Sequence, residues 1–109
     1  MNLPEEYAEI AKKLIDLTNN DDVKWSKGKK DNEFILDHNK IEIGLYPLND
    51  PDQEKHFYFF IFKSQKAANN LKVSDWDYGY EILEELYNAA SRNAQDIRGA
   101  IKDFLSEFD

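Results

Sequence analysis

Eight residues in the middle of the chain, His56-Phe57-Tyr58-Phe59-Phe60-Ile61-Phe62-Lys63, narrow the possible folds more than any other stretch. The run is short and dense in aromatics, so it reads as a strand rather than a helix. Successive side chains of a strand point to opposite faces, which puts Phe57, Phe59 and Ile61 on one side and Tyr58, Phe60 and Phe62 on the other. A large apolar side chain left in water forgoes about 1.5–3 kcal/mol. A sheet built around this strand therefore needs cover on both faces. Helices cover one. We expect the second face to carry Tyr58, Phe60 and Phe62, with Trp25, Ile35 and Trp76 as neighbours, and these six residues form a candidate interaction surface. Its cover is either further helices of the same chain or a second chain, and three helices on one sheet make the first feasible.

The flanking sequence supplies those helices. Leu3, Tyr7, Ile10, Leu14 and Leu17 recur at helical spacing, predicting a helix over residues 4–17 that Asn19-Asn20-Asp21-Asp22 stops. Ser74-Asp75-Trp76-Asp77 reads as a helix start, followed by Tyr80, Leu83, Leu86, Tyr87 and Ala90 on one face. Asn93 is placed to cap a third helix carrying Ile97, Ala100 or Ile101, Phe104, Leu105 and Phe108.

Between them, Val23–Ser26 alternates as a short strand. Phe34–Asp37 and Lys40–Tyr46 form a hairpin about a His38-Asn39 turn, which sets Leu36 opposite Ile41 and Phe34 opposite Ile43. Residues 47–55 read as a loop, and Leu71-Lys72-Val73 offers a fifth strand. The expectation is a single α+β domain over residues 1–109. An antiparallel sheet of four strands, or five, is packed by an N-terminal helix and two C-terminal helices, in the order α-β-β-β-β-α-α.

The 109 residues carry 14 Lys+Arg against 22 Asp+Glu, for a net charge of −8. Residues 1–22 hold six acids and two bases, residues 23–66 seven acids and eight bases, and residues 67–109 nine acids and four bases. The predicted sheet is near neutral and both helical ends are acidic. Nucleic-acid binding normally needs a basic excess, so this balance opposes it and favours a basic protein partner. With no Cys, thiolate chemistry, disulfides and Cys-based zinc sites are excluded. Met1–Glu6 lacks the basic start and apolar run of a signal peptide, and the longest apolar run, residues 57–62, is too short to cross a bilayer. These features point to a cytoplasmic location.

Chemistry-bearing constellations are sparse. His38 and His56 lack metal-ligand spacing, and the four glycines are scattered rather than gathered into a phosphate-cradling loop. Asp75 and Asp77 are read as helix-start residues rather than a cation site. Tyr46, Tyr58, Trp76, Asp75 and Asp77 would serve a small-ligand or enzymatic pocket only if they converged. Lys24, Lys27, Lys29 and Lys30 beside Trp25 form the one basic patch, read first as a solubilising hairpin tip and second as a nucleic-acid contact.

Lys24-Trp25, the Tyr-x-x-Leu-x-x-Leu-Tyr-x-x-Ala run from Tyr80 to Ala90, Arg92, Asp96-Ile97 and Phe104-Leu105 resemble a group of small bacterial proteins without known activity. Those proteins have a leading helix, an antiparallel sheet and a C-terminal helical pair. The resemblance implies that fold and no catalytic residue. The sequence thus points to a non-catalytic protein-interaction module without cofactor or metal, of an immunity-like, antitoxin-like or mobile-element accessory kind. It would bind a basic protein or a second copy of itself, and no membrane.

Overall fold

The computed structural model describes residues 1–108. Its elements are α1 (Glu5–Asn19), β1 (Ser26–Lys27), β2 (Phe34–His38), β3 (Ile41–Asp50), β4 (Lys55–Lys63), β5 (Ala68–Ser74), α2 (Tyr80–Ala94) and α3 (Ile97–Ser106). The five strands form one antiparallel meander in the order β1-β2-β3-β4-β5. This is the α+β fold expected from the sequence, with the fifth strand present.

The register explains how the core forms. Phe34, Leu45, Phe60 and Leu71 stand side by side across β2 to β5, with Ile43 beside Phe62 and Tyr58 beside Val73. Together they present one continuous apolar face. Helices α1 and α2 lie over it with Ala8, Ala11, Leu14, Ile15, Leu83, Leu86 and Ala90 turned inward. Tyr7 meets the rings of both Phe60 and Phe62 edge-on.

This packing corrects the face assignment made from the sequence. Tyr58, Phe60 and Phe62 point into the helix layer, and the face left without helices carries Ile35, Gly44, Tyr46, Phe57, Phe59 and Ile61. Alternation along one strand is blind to which parity faces the core. Its neighbours decide. Tyr58's side meets Val73, Leu71 and Leu45, whereas Phe57's side meets Ser74, Lys72, Asn70 and Gly44.

The β2–β3 turn also differs from expectation by one residue. Asn39 and Lys40 occupy it, both at positive φ (48° and 67°), so Leu36 faces Ile43 and Phe34 faces Leu45. Two central residues at positive φ match the twist of a tight hairpin. Residues 47–50 are strand rather than loop. Pro47 is tolerated because β2 pairs with β3 only as far as Leu45, leaving Pro47 on a stretch of edge strand. The β3–β4 connection shrinks to residues 51–54, with Glu54 at φ 52°.

Ser74-Asp75-Trp76-Asp77 is a turn rather than the start of α2. The Asp77 carboxylate accepts from the Ser74 N–H and hydroxyl, both at 2.9 Å, and from the Met1 amine at 2.8 Å. α2 begins three residues later, after Gly79 at φ 98°. At the other end of α2, Asn93 lies inside the helix rather than capping the next one.

Candidate interaction surfaces

Trp25 is one of the six residues of the candidate interaction surface, and the structure buries it within the chain. It lies between the C-terminal ends of α1 and α2, 1% exposed. Its indole N–H donates to Thr18 Oγ1 at 3.0 Å, and its backbone N–H donates to Asn93 Oδ1 at 2.7 Å. The Asn93 amide completes the bracket by donating to the Val23 carbonyl at 2.9 Å. Residues 23–25 are thus held by a helix side chain in place of the strand expected there, and β1 is only Ser26–Lys27. Tyr58 and Phe60 are likewise core, and Phe62 packs against it. Ile35 is half-buried on the open sheet face. Trp76, at the tip of the 74–77 turn, is 80% exposed. The six residues therefore do not form one surface.

The open face of the sheet is shielded by the chain's own lysines rather than by helices. Tyr46 and Phe59, cross-strand neighbours, stack with ring centroids 4.8 Å apart and planes 8° from parallel. Lys30 Nζ sits 4.5 Å above the Tyr46 ring, and Lys72 Nζ lies 4.3 Å from the Phe57 centroid and 5.8 Å from that of Phe59. Lysine stems cover apolar surface while their ammonium groups stay wet, and each ammonium is attracted to the ring face. Lys30 also donates to the Tyr46 hydroxyl at 3.1 Å, a contact that holds its pKa above the ordinary lysine value. This answers how the second face of an aromatic strand tolerates water. Phe57 is buried, and Phe59 and Ile61 are half-buried.

The remaining chemical candidates disperse. His38 and His56 lie at opposite ends of β3, beside Ile41 and Asn49. Each takes a local partner, His38 accepting from the Asn39 amide and His56 hydrogen-bonding Asn49 Oδ1. Among the described residues, no group of three His, Asp or Glu side chains is arranged to hold a metal ion. Tyr46 and Tyr58 point to opposite faces of the sheet, Trp76 projects into solvent, and Asp77 is turned onto Ser74 and Met1, so the pocket these residues would have needed is not assembled. Two of the four patch lysines are engaged within the fold, Lys24 at the Asn93 carbonyl and Lys30 at Tyr46.

The exposure of α3 is what sequence reasoning misses. The spacing predicts half of a packed helical pair, yet the apolar side chains are exposed: Ile101 by 53%, Phe104 by 61%, Leu105 by 57% and Phe108 by 73%, with Ile97 at 38%. Asp96, at φ 51°, turns the chain sharply out of α2, so α3 meets the body mainly at the end of that helix. The molecule is accordingly long, 50 × 36 × 25 Å with a radius of gyration of 15.1 Å, against about 13 Å for a compact chain of 100 residues. Where α3 leaves α2, a cleft of about 590 Å³ opens between Val23, Lys24, Ala89, Arg92, Ile97 and Ile101. The signal for this surface is in the sequence as the 97-101-104-108 spacing, but spacing alone does not say whether a stripe meets its own core. No helix among the described residues is long and apolar enough to cross a membrane. No family model, curated protein or solved structure matches the chain.

Proposed function

We propose that this chain is a non-catalytic protein-interaction module and that α3 is its docking element. One observation carries the reading: a ten-residue helix and the turn that ends it present four large apolar side chains, each more than half exposed. Contiguous apolar surface of this kind on a globular domain marks a contact site more often than an idle face. The body of the domain supports the same reading. Among the described residues, its buried side-chain polar atoms all have partners, and its aromatic sheet face is shielded by its own lysines. The uncovered apolar surface is therefore concentrated on α3 and at the Trp76 turn. A small, acidic partner-binding protein of the immunity, antitoxin or mobile-element accessory kind is the class that fits.

A photo-crosslinking residue in place of Phe104, expressed in the native cell, tests the docking role. Protein adducts at position 104, absent when the same residue replaces Asn88 on the exposed side of α2, are expected. No protein adduct of any mass at position 104 would overturn the reading.

A further inference from the structure

We propose that the partner of α3 is a second copy of this chain, the two helices pairing antiparallel across a twofold axis. The proposal rests on the reading of α3 as a docking element and names what docks there.

The spacing of the exposed side chains carries it. Ile97, Ile101, Phe104 and Phe108 are separated by four, three and four residues. Alternating steps of four and three are the seam of paired helices. This seam also reads the same in both directions. A twofold interface requires a surface complementary to itself, with each contact made twice. Two antiparallel copies of α3, each continued by the turn at Glu107-Phe108, meet that condition, setting Ile97 opposite the partner's Phe108 and Ile101 opposite the partner's Phe104. Every layer then joins one branched aliphatic to one ring, and Leu105 widens the seam on one flank.

Area favours the same occupant. At about 150–250 Å² for a whole large side chain, the five exposed groups present roughly 500 Å² of apolar surface. Across the pair that is about 1,000 Å², the least a specific interface buries and the range of weak, concentration-dependent contacts. The antiparallel register also brings the second copy's Phe108 to Ile97, which lines the cleft beside α3.

Charge makes the choice of partner measurable. Two chains of net charge −8 repel at long range, and added salt screens that repulsion. Self-association through an apolar seam therefore tightens with salt, whereas docking of a basic protein weakens.

Sedimentation velocity on the intact chain, from about 1 μM to about 1 mM, at low and high salt, is the test. A species of twice the 12.8 kDa chain mass is expected, with a midpoint that falls as salt rises. Ile101→Lys and Phe104→Glu should each weaken it at least tenfold. Both positions are exposed, and circular dichroism checks that each variant keeps its fold. Mixing the two variants should restore a dimer. The antiparallel register sets the introduced lysine of one chain against the introduced glutamate of the other, while the second central layer stays native. A strict monomer at both salts, or a dimer unchanged in both single variants, would overturn the proposal. Failure of the mixture to recover would overturn the antiparallel register. If the wild-type chain is monomeric while position 104 crosslinks to a different protein, self-pairing is wrong and the docking reading stands. If position 104 crosslinks to nothing, both fall.

Discussion

The side chain of Asn93 on α2 does for the backbone around Trp25 what a neighbouring strand would do. Its oxygen accepts the Trp25 N–H at 2.7 Å and its nitrogen donates to the Val23 carbonyl at 2.9 Å. Trp25 is buried, so its N–H has no water to fall back on. Leaving a buried donor unpaired costs about 1–3 kcal/mol, and here an acceptor is released with it. Asn93→Ala should destabilise the domain by about 2–3 kcal/mol, read as a lower denaturant midpoint at unchanged slope. Asn88→Ala, on the exposed side of the same helix, should stay within about 0.5 kcal/mol of the native chain.

Asp77 ties the first residue of the chain to the turn before α2. Its pKa is lowered to about 2, first by the hydrogen bond from the Met1 amine and then by those from the Ser74 N–H and hydroxyl. A carboxyl whose folded pKa is depressed stabilises the fold above its unfolded value, near 3.9, and loses that contribution as pH falls toward the folded value. The stability difference between the native chain and Asp77→Asn should therefore be steady between about pH 5 and 7. It should shrink from about pH 4 and vanish only below about pH 2. Urea titrations at stepped pH give the curve directly; a difference that persists to the acid end would exclude the carboxylate as its source.

At the alkaline end, Tyr58 contributes. Burial raises its pKa to about 12, with Tyr80, Glu84 and Tyr87 nearby adding to the effect. The unfolded chain releases this proton near pH 10 and the folded chain about two units later, so stability drains away as pH rises from about 10 to about 12. Tyr58→Phe keeps the ring and removes the ionisation, and should move base-induced unfolding to higher pH. Tyr80 and Tyr87, packed on the same ring at 5.2 and 5.4 Å, are shifted in the same direction by burial. The single substitution should therefore recover part of the loss, as followed by near-ultraviolet circular dichroism.

Gly79 holds the N-terminal segment against the body. Its φ of 98° is unfavourable for any side chain, and a Cβ there would lie 2.4 Å from that of the buried Leu3. Gly79→Ala should cost at least about 1–2 kcal/mol from the backbone alone. Displacement of Leu3 should also break its N–H bond to the Tyr78 carbonyl, 2.8 Å long in the native fold. Amide exchange at Leu3 should accelerate more than exchange in β3 and β4, which separates local undocking from general unfolding.

The stacked pair on the open sheet face is accessible to a double-mutant cycle. Tyr46→Ala and Phe59→Ala should each destabilise the sheet, and their sum should exceed the double variant by about 0.5–1.5 kcal/mol, the coupling of an aromatic pair. A coupling near zero would mean that the two rings are held by their lysines rather than by each other.

Local periodicity is enough to set element types and their order in the chain. The strand at residues 57–62, the hairpin before it, the leading helix and the C-terminal pair all follow from spacing repeats, short connections and breakers such as Asn19 to Asp22. Those signals depend on near neighbours, which the chain fixes by itself. Which face of β4 meets the helices is not decided there, because a strand apolar on both sides is symmetric to its own pattern. The asymmetry lies in β3 and β5, where Leu45, Leu71 and Val73 line one side and Gly44, Lys72 and Asn70 the other. It acts only once the turns at Asn39-Lys40 and at residues 51–54 have set the register. The fate of Trp25 is decided in the same way, by Asn93 reaching it across 68 residues of chain. So is that of α3: its stripe is legible as apolar and helical, but α1 and α2 already occupy the one sheet face that takes helices. Tertiary packing alone leaves α3 outside the core, and that is where the proposed function resides.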